Sequence, residues 1–409
     1  MFKLVLGTAS GQAIALGLSF IVTRIYDPSM FATLEQFAMI LGVLGAVAGG
    51  KYELTIMLAD KKETAFRLLR STIHISLLVA VITSVLGLLF KSQVAHLLGN
   101  SKIENLLWLI GPALFCFVVT TALGYWFGRH KRFGPAATSK TLFSSVSEPL
   151  KIGFGKLNLI PSGLLYGVTL GHLFSSVFMW FKLDKNEQKG LLKKNPSKAH
   201  LKEFSNYPKL ILPGSLLNRL AQWLHIALFG LLYGEIGLVA VGILGLCRRV
   251  LMQPLNIFSN SFAQVYYQKL TEKSGGQLKG FYMKMLGMFS AVSLFMIALI
   301  WILPDNTMSF FFGEEWLKVM EYLRILIFWF ATNFTVGSLG FVLHRIQAQK
   351  KLLVLDACHL FFVLFAMLLA YILEFDIKGA LIAFVVAKVL YLIVNVLTTY
   401  YSLNRNILK

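Results

Sequence analysis

The chain has 409 residues, 56% of them hydrophobic and only 14% charged, roughly half the ~25% charged share of an ordinary soluble domain. Its formal net charge of +20 would suggest nucleic acid in a soluble protein. Here the aromatic residues lie inside apolar stretches and the basic ones in the connections between them, which argues against a nucleic-acid partner. Crossing the hydrocarbon takes about 20 apolar residues, and segments of that kind consume nearly the whole chain, leaving no room for a soluble domain of ~100 residues.

In chain order, apolar spans are expected near residues 4–26, 29–49, 68–90, 105–128, 134–155 and 161–182, then 208–233, 236–262, 281–303, 323–344, 352–373 and 378–402. The first is too long for the apolar stretch of a signal peptide and has no cleavage site, so it is expected to stay as a span. The fifth is the weakest, because Lys140, Glu148, Pro149 and Lys151 interrupt it. The three cysteines, Cys116, Cys247 and Cys358, each fall inside a span. An odd number with no CxxC pair argues against disulfides or zinc and suggests small apolar fillers.

Basic residues set the orientation. With the N-terminus inside, about 26 Lys and Arg fall in cytoplasmic segments and about seven outside, which places both termini in the cytoplasm. The longest polar run, Lys182–Lys209, is the one internal boundary the sequence offers. It divides the chain into an N-terminal lobe (1–182, spans 1–6), a basic cytoplasmic linker (183–206) and a C-terminal lobe (207–409, spans 7–12). Its lysines suit contact with anionic lipid headgroups; the plainer reading is a linker that only sets topology.

The halves repeat. Gly7, Tyr26 and Phe31 correspond to Gly214, Tyr233 and Leu238 at an offset of 207, and LGYWFGRHKR (Leu123–Arg132) resembles LGFVLHRIQAQK (Leu339–Lys350) at an offset of 216. Six spans per half keep both halves in one orientation. The fold expected is therefore an all-α polytopic membrane protein, with two six-helix lobes related by a pseudo-two-fold along the membrane normal and a cavity between them.

No GxxxxGK[ST] phosphate loop is present, since GFGK at Gly153–Lys156 is too short. HExxH, GxSxG and clustered loop acids are missing too, so neither an enzyme nor a cofactor or metal site is expected. What the spans do contain is polar side chains, which are costly in lipid. Arg249, Gln253, Asn256, Asn260 and Gln264 recur at helical spacing on the eighth span, with Arg248 beside them and Pro254 expected to kink the helix. Asn218, Gln222 and His225 form a second stripe with Arg219, and Thr8, Gln12, Ser19 and Thr23 a milder one on the first span. Lys140, Ser144, Ser147 and Lys151 stack on the fifth span, and Lys388, Tyr391 and Asn395 on the twelfth. A basic cavity for an anionic, hydroxyl-rich headgroup would use these residues, the arginines offering paired donors to a diphosphate; interhelical hydrogen bonding is the plainer alternative. Glu35 and Asp356, the latter one turn from His359, are the candidates for ion coupling. In PDNTMSFFFGEEW (Pro304–Trp316) the aromatics are expected at the outer interface and Glu314 and Glu315 as a solvated rim.

The runs GTASGQ…TRIYDPSMF…KYELTIMLAD (Gly7–Asp60), YPKLILPGSLLNRL (Tyr207–Leu220) and RRVLMQPLNIFSNSFAQVYYQKLTE (Arg248–Glu272) resemble the O-antigen and polysaccharide repeat-unit flippases of the Wzx type. These belong to the polysaccharide transporter family of the multidrug/oligosaccharidyl-lipid/polysaccharide exporter superfamily, and FFFGEEW extends the likeness over essentially the whole chain. The resemblance implies alternating access and movement of an undecaprenyl-diphosphate-linked oligosaccharide to the periplasmic face of the bacterial inner membrane, for lipopolysaccharide or related surface polymer, driven by a proton or sodium gradient. It also implies membrane lipids as surroundings and a polysaccharide polymerase and chain-length regulator as partners. Of the residues above, Arg219, Arg248, Arg249 and the eighth-span stripe lie within matched segments. Two alternatives stand beside it: a cation-coupled drug exporter of the same fold, which would be expected to carry cavity acids, and a membrane-embedded polymerase or transferase, which would be expected to carry a catalytic external loop.

Overall fold

The structure is a computed structural model and describes residues 2–193, 199–273, 275–346 and 348–407. The side chains of residues 2–6, 199, 210, 260, 261, 264, 265, 267, 268, 271, 341, 344, 349, 350 and 405–407 lie outside that description. The protein is all-α, with no strand among the described residues. Nine helical stretches there are long and apolar enough to cross a membrane. Contacts gather the chain into two compact units, Met1–Gly242 and Ile243–Lys409.

The first unit contains α1 (Phe2–Val22), α2 (Pro28–Gly45), α3 (Lys62–Leu89), α4 (Ile110–Arg129), α5 (Phe133–Lys156) and α6 (Ser162–Phe181), together with most of α7 (Leu212–Cys247). Asp27 starts α2 by accepting the Met30 N–H at 2.9 Å, and Pro28 at the first turn gives up no internal bond. α7 is two helices in series. Gly234, at φ 56° and ψ −136°, takes a conformation open to glycine and closed to residues with a Cβ, and it separates the seventh expected span from the eighth.

Pro254, where a kink is expected, follows a π-helical turn at Arg248–Met252, and Pro213 follows another at Tyr207–Ile211. A proline has no N–H for the carbonyl four residues back and collides with it in an α-turn. Both of those carbonyls fall inside the π turns, whose wider hydrogen-bond ring relieves the conflict.

Within the first unit α1 packs on α5 through glycines. A Cβ on Gly7 would stand 2.5 Å from the Ala137 carbonyl oxygen, and one on Gly11 2.9 Å from that of Lys140. Small residues let helix backbones approach this closely in lipid, where dispersion rather than water expulsion drives association. α3 turns Leu78, Val81, Ile82, Leu86 and Leu89 outward, an apolar face that a soluble monomer rarely displays. At the basic end of the unit, Ile56, Leu68, Leu69, Leu123, Trp126, Phe127 and Met179 form a core. The described parts of the lysine-rich segment dock onto it: Leu191 is buried, Arg70 donates to the Gly190 carbonyl (3.2 Å), and His200 Nε2 meets the Ser71 hydroxyl (2.8 Å).

The second unit holds α8 (Gln253–Thr271), α9 (Gly275–Ile302), α10 (Val319–Leu339), α11 (Gln349–Ile372) and α12 (Ile377–Ile407). Tyr266, Leu270, Tyr282, Phe289, Phe334 and Leu403 make its core, crossed by hydroxyl pairs Ser293–Thr335 (2.7 Å) and Ser259–Ser338 (2.8 Å). The Pro304–Trp316 segment departs from its expected role in part. Glu314 and Glu315 are exposed and Phe310 is too, whereas Phe312 and Trp316 turn inward and are fully buried. Between Phe312 and Glu314, Gly313 takes φ 103°, a backbone setting that favours glycine.

Candidate functional site

In the first unit the stripe at the start of α7 is a hydrogen-bonded chain. Gln222 Nε2 donates to Asn218 Oδ1 at 2.7 Å, and Arg219 donates from Nη1 to Gln222 Oε1 at 3.4 Å. Four-residue and three-residue helical spacings bring these groups together. Arg219 and Gln222 are exposed, while His225 one turn on is fully buried.

A second group reaches this chain from the α2–α3 connection. Gly49-Gly50-Lys51-Tyr52-Glu53 makes a turn in which Gly50 and Lys51 both take positive φ (64° and 63°). A lysine in the left-handed region is strained and persists only where its surroundings fix it. Lys51 Nζ lies 4.0 Å from Glu53 Oε1. Burial lowers the Lys51 ammonium from its ordinary range, Glu53 draws it back up, and Arg219 pushes it down again. The Glu53 carboxyl is raised by burial, against its own backbone hydrogen bond and Lys51, which lower it. Its Oε2 is buried with no hydrogen-bond partner among the described residues. It occupies the space that Gly49 leaves, since a Cβ there would stand 2.5 Å away. Arg219 acts electrostatically on Lys51, and these two cations outnumber the one carboxylate of Glu53; charge-assisted donors of this kind bind phosphate oxygens.

The expected residues of α1 and α5 divide. Gln12 is half-buried, with Oε1 lacking a hydrogen-bond partner among the described residues. Lys140 is exposed and its ammonium donates to the Thr8 hydroxyl at 3.0 Å. Lys151 is a different kind of lysine: 2% exposed, it is paired with Glu148 at 2.7 Å, and the Tyr26 hydroxyl donates to its carbonyl (2.9 Å). Glu35 is half-buried on α2. Its neighbour Gln36 is the more deeply embedded, donating to the Leu98 carbonyl (2.7 Å) and accepting from Asn100 (2.8 Å).

In the second unit Arg248 and Arg249 lie half-buried on the π turn, with Gln253 exposed and Asn256 half-buried on α8. The Asn260 and Gln264 side chains lie outside the described residues. Asp356 is half-buried on α11. Lys388 on α12 is buried, its Nζ 2.9 Å from His359 Nε2 and 5.0 and 5.4 Å from the ring centres of Trp329 and Phe384. A lysine at mid-membrane costs about 2.5–3.5 kcal/mol on an insertion scale, and desolvated cation–π contacts return about 2 kcal/mol.

Sequence reasoning ranked neither the Gly49–Glu53 turn nor the Lys388–His359 contact. The double glycine before a lysine signals the first. The second joins separate helices and leaves no spacing to read. Among the described residues no three His, Cys, Asp or Glu side chains are grouped to hold a metal, and the cysteines are free thiols.

The sequence profile described as polysaccharide biosynthesis protein matches residues 21–321, and the chain belongs to that family. Its fold is that of transporters of the MOP superfamily. It is similar to an inward-facing multidrug resistance MATE family transporter at 17% identity and a TM-score of 0.71, over 96% of this chain and 95% of that one. It is also similar to the lipid II flippase MurJ in an inward closed conformation, at 15% identity and a TM-score of 0.69, over 100% and 91% of the two chains. A MOP superfamily transporter from Pyrococcus furiosus, described as having a binding pocket of reverse polarity, is similar at 15% identity and a TM-score of 0.58, over 98% and 95%. No curated protein matches the sequence.

Proposed function

We propose that this protein is a transporter, without catalytic chemistry of its own, that moves an undecaprenyl-diphosphate-linked oligosaccharide across the bacterial inner membrane. The repeat unit, of O-antigen or a related polymer, is taken up at the cytoplasmic face and released at the periplasmic face by alternating access. Membership of a polysaccharide biosynthesis family on a MOP transporter fold supports the class. The observation that carries the substrate is the positive group of Arg219 with Asn218, Gln222 and Lys51. Guanidinium and ammonium beside amide donors match a diphosphate bearing sugar hydroxyls.

In this reading residues 1–182 and 207–409 act as six-helix lobes joined by the linker 183–206 and both termini are cytoplasmic; Gln12 and Lys140 are binding residues of the first unit, and Arg248, Arg249, Gln253 and Asn256 those of the second. A polysaccharide polymerase and a chain-length regulator take the product onward. An ion gradient drives the cycle, with Glu35 and Asp356 the coupling candidates that sequence position suggests. Purified protein in liposomes tests the transport: an impermeant lectin should gain access to oligosaccharide first confined to the opposite leaflet. Access no faster than in protein-free liposomes would refute it.

A further inference from the structure

The deepest charge in the second unit is not a carboxylate. Lys388, 1% exposed, meets His359 across the α11–α12 contact with 2.9 Å between Nζ and Nε2. At that distance one hydrogen lies between the nitrogens. If the lysine is an ammonium, it donates to Nε2 and the imidazole is neutral, with its own proton on Nδ1. An ammonium facing an imidazolium at 2.9 Å would be two like charges in contact, out of water. The pair therefore holds one excess proton or none, and its two nitrogens titrate as a unit.

The surroundings fit a proton and no larger cation. Trp329 and Phe384 face the ammonium with their rings, and Tyr391 stacks on the imidazole at 3.9 Å and 6° between planes. Among the described residues, the charged and titratable groups acting here include Arg248, which repels Lys388, and Asp356 and Cys358, which act on Tyr391. The other described charges of the packed helices are engaged elsewhere: Arg324 of α10 pairs with Asp305, and Lys284 of α9 is exposed. Glu321 of α10 pairs with Lys378, Lys351 of α11 reaches Ser402, and Lys279 of α9 lies over Tyr400. A sodium ion would need oxygen ligands where an ammonium already stands.

The internal repeat isolates the feature. At the offset of 216, Lys388 corresponds to His172 and His359 to Phe143, and those two also meet, ring centres 4.5 Å apart, across α5 and α6. The same helix contact thus has one ionisable partner in the first half and two in the second.

We propose that Lys388 and His359 form the proton-binding site through which a pH gradient drives transport. The inference rests on the transporter reading above and names its coupling ion. Loading adds one proton to the neutral amine–imidazole pair and gives the ammonium donating to Nε2; unloading returns it to water on the other side.

Two readouts test it on the full-length protein. In liposomes containing undecaprenyl-diphosphate-linked oligosaccharide, an imposed pH gradient should raise the wild-type rate several-fold and a sodium gradient should not. In the double variant Lys388→Met with His359→Phe, which leaves neither nitrogen unpaired, the ratio of rates with and without the pH gradient should fall to unity. His359→Gln, whose amide oxygen still accepts from the ammonium, should keep a response with a displaced pH dependence. Without substrate, the Trp329 fluorescence (wild type minus Trp329→Phe) should show a titration step with pH that the double variant lacks. A step or a gradient response that survives in the double variant, or a wild type driven by sodium alone, overturns the proposal. A wild type that titrates but moves no oligosaccharide refutes the transport reading and leaves the proton site standing.

Discussion

Glu148 and Lys151 form a buried ion pair whose energetic weight can be worked out from its setting. Their side chains are 3% and 2% exposed, and 2.7 Å separates Oε1 from Nζ. The pair is pinned from outside α5 as well: Tyr26 donates to the Lys151 carbonyl, and a Cβ on Gly167 of α6 would stand 2.6 Å from Lys151 Cγ. Removing one partner strips the other of its 2.7 Å counter-charge in a buried site, a loss of about 3–5 kcal/mol. Replacing both by apolar residues of similar volume removes the desolvation cost together with the attraction and is neutral or stabilising. Lys151→Met alone should therefore be strongly destabilising, Glu148→Gln similarly so, and the double change Glu148→Met with Lys151→Met as stable as wild type or more so. Thermal unfolding of the purified protein, followed by the folded fraction on size exclusion, reads this order. Single variants as stable as wild type would refute the claim that the pair is buried and closed.

Other expectations address separate parts of the molecule. Arg219→Ala should lower surface polysaccharide with membrane insertion intact, and Arg219→Lys should restore it only in part, since an ammonium lacks the guanidinium fork; wild-type polymer from Arg219→Ala would remove Arg219 from the site. Gly11→Val should cost about 1–3 kcal/mol by overpacking α1 on α5, whereas Gly17→Ala, whose Cβ would have nothing within 4 Å, should leave thermal stability unchanged or raise it by up to about 1 kcal/mol. His200 is buried against Ser71, and desolvation first, then Arg67 and Arg70, lower its pKa from the ordinary 6.5. A depressed histidine favours the docked state above the free pKa, so docking of residues 199–203 should be complete above about pH 6.5 and weaken as pH falls below it. Hydrogen exchange of that segment across pH 5–8, by the same principle, should show faster exchange on the acid side after correction for intrinsic rates; a flat profile would contradict it.

The class of fold was legible because lipid imposes it. Apolar runs such as those around Leu78–Leu89 and Leu294–Ile302 can satisfy their backbones only as helices, and that requirement holds whatever the partners. The Asn218–Gln222 chain was legible as well, because helical spacing alone places its members together. Trp316 was misjudged, since an aromatic next to two glutamates reads as an interfacial anchor, whereas its indole is fully buried. The π turns were hidden in a different way. Pro213 and Pro254 announce a disturbance, and whether it becomes a bend or a wider turn depends on the packing around the freed carbonyl. Lys151 and Lys388 read alike in the sequence, each as a cation in a polar stripe on a span. One is neutralised by its own helix three residues away and the other leans on a histidine from the next, a distinction that tertiary contact alone decides.

The central claim, that this chain carries lipid-linked oligosaccharide across the membrane, is tested most directly by the sidedness of the undecaprenyl-diphosphate-linked repeat unit in cells lacking the gene. Such cells should lose the surface polymer, with single repeat units trapped on the cytoplasmic face. Repeat units that reach the periplasm without this protein would contradict it.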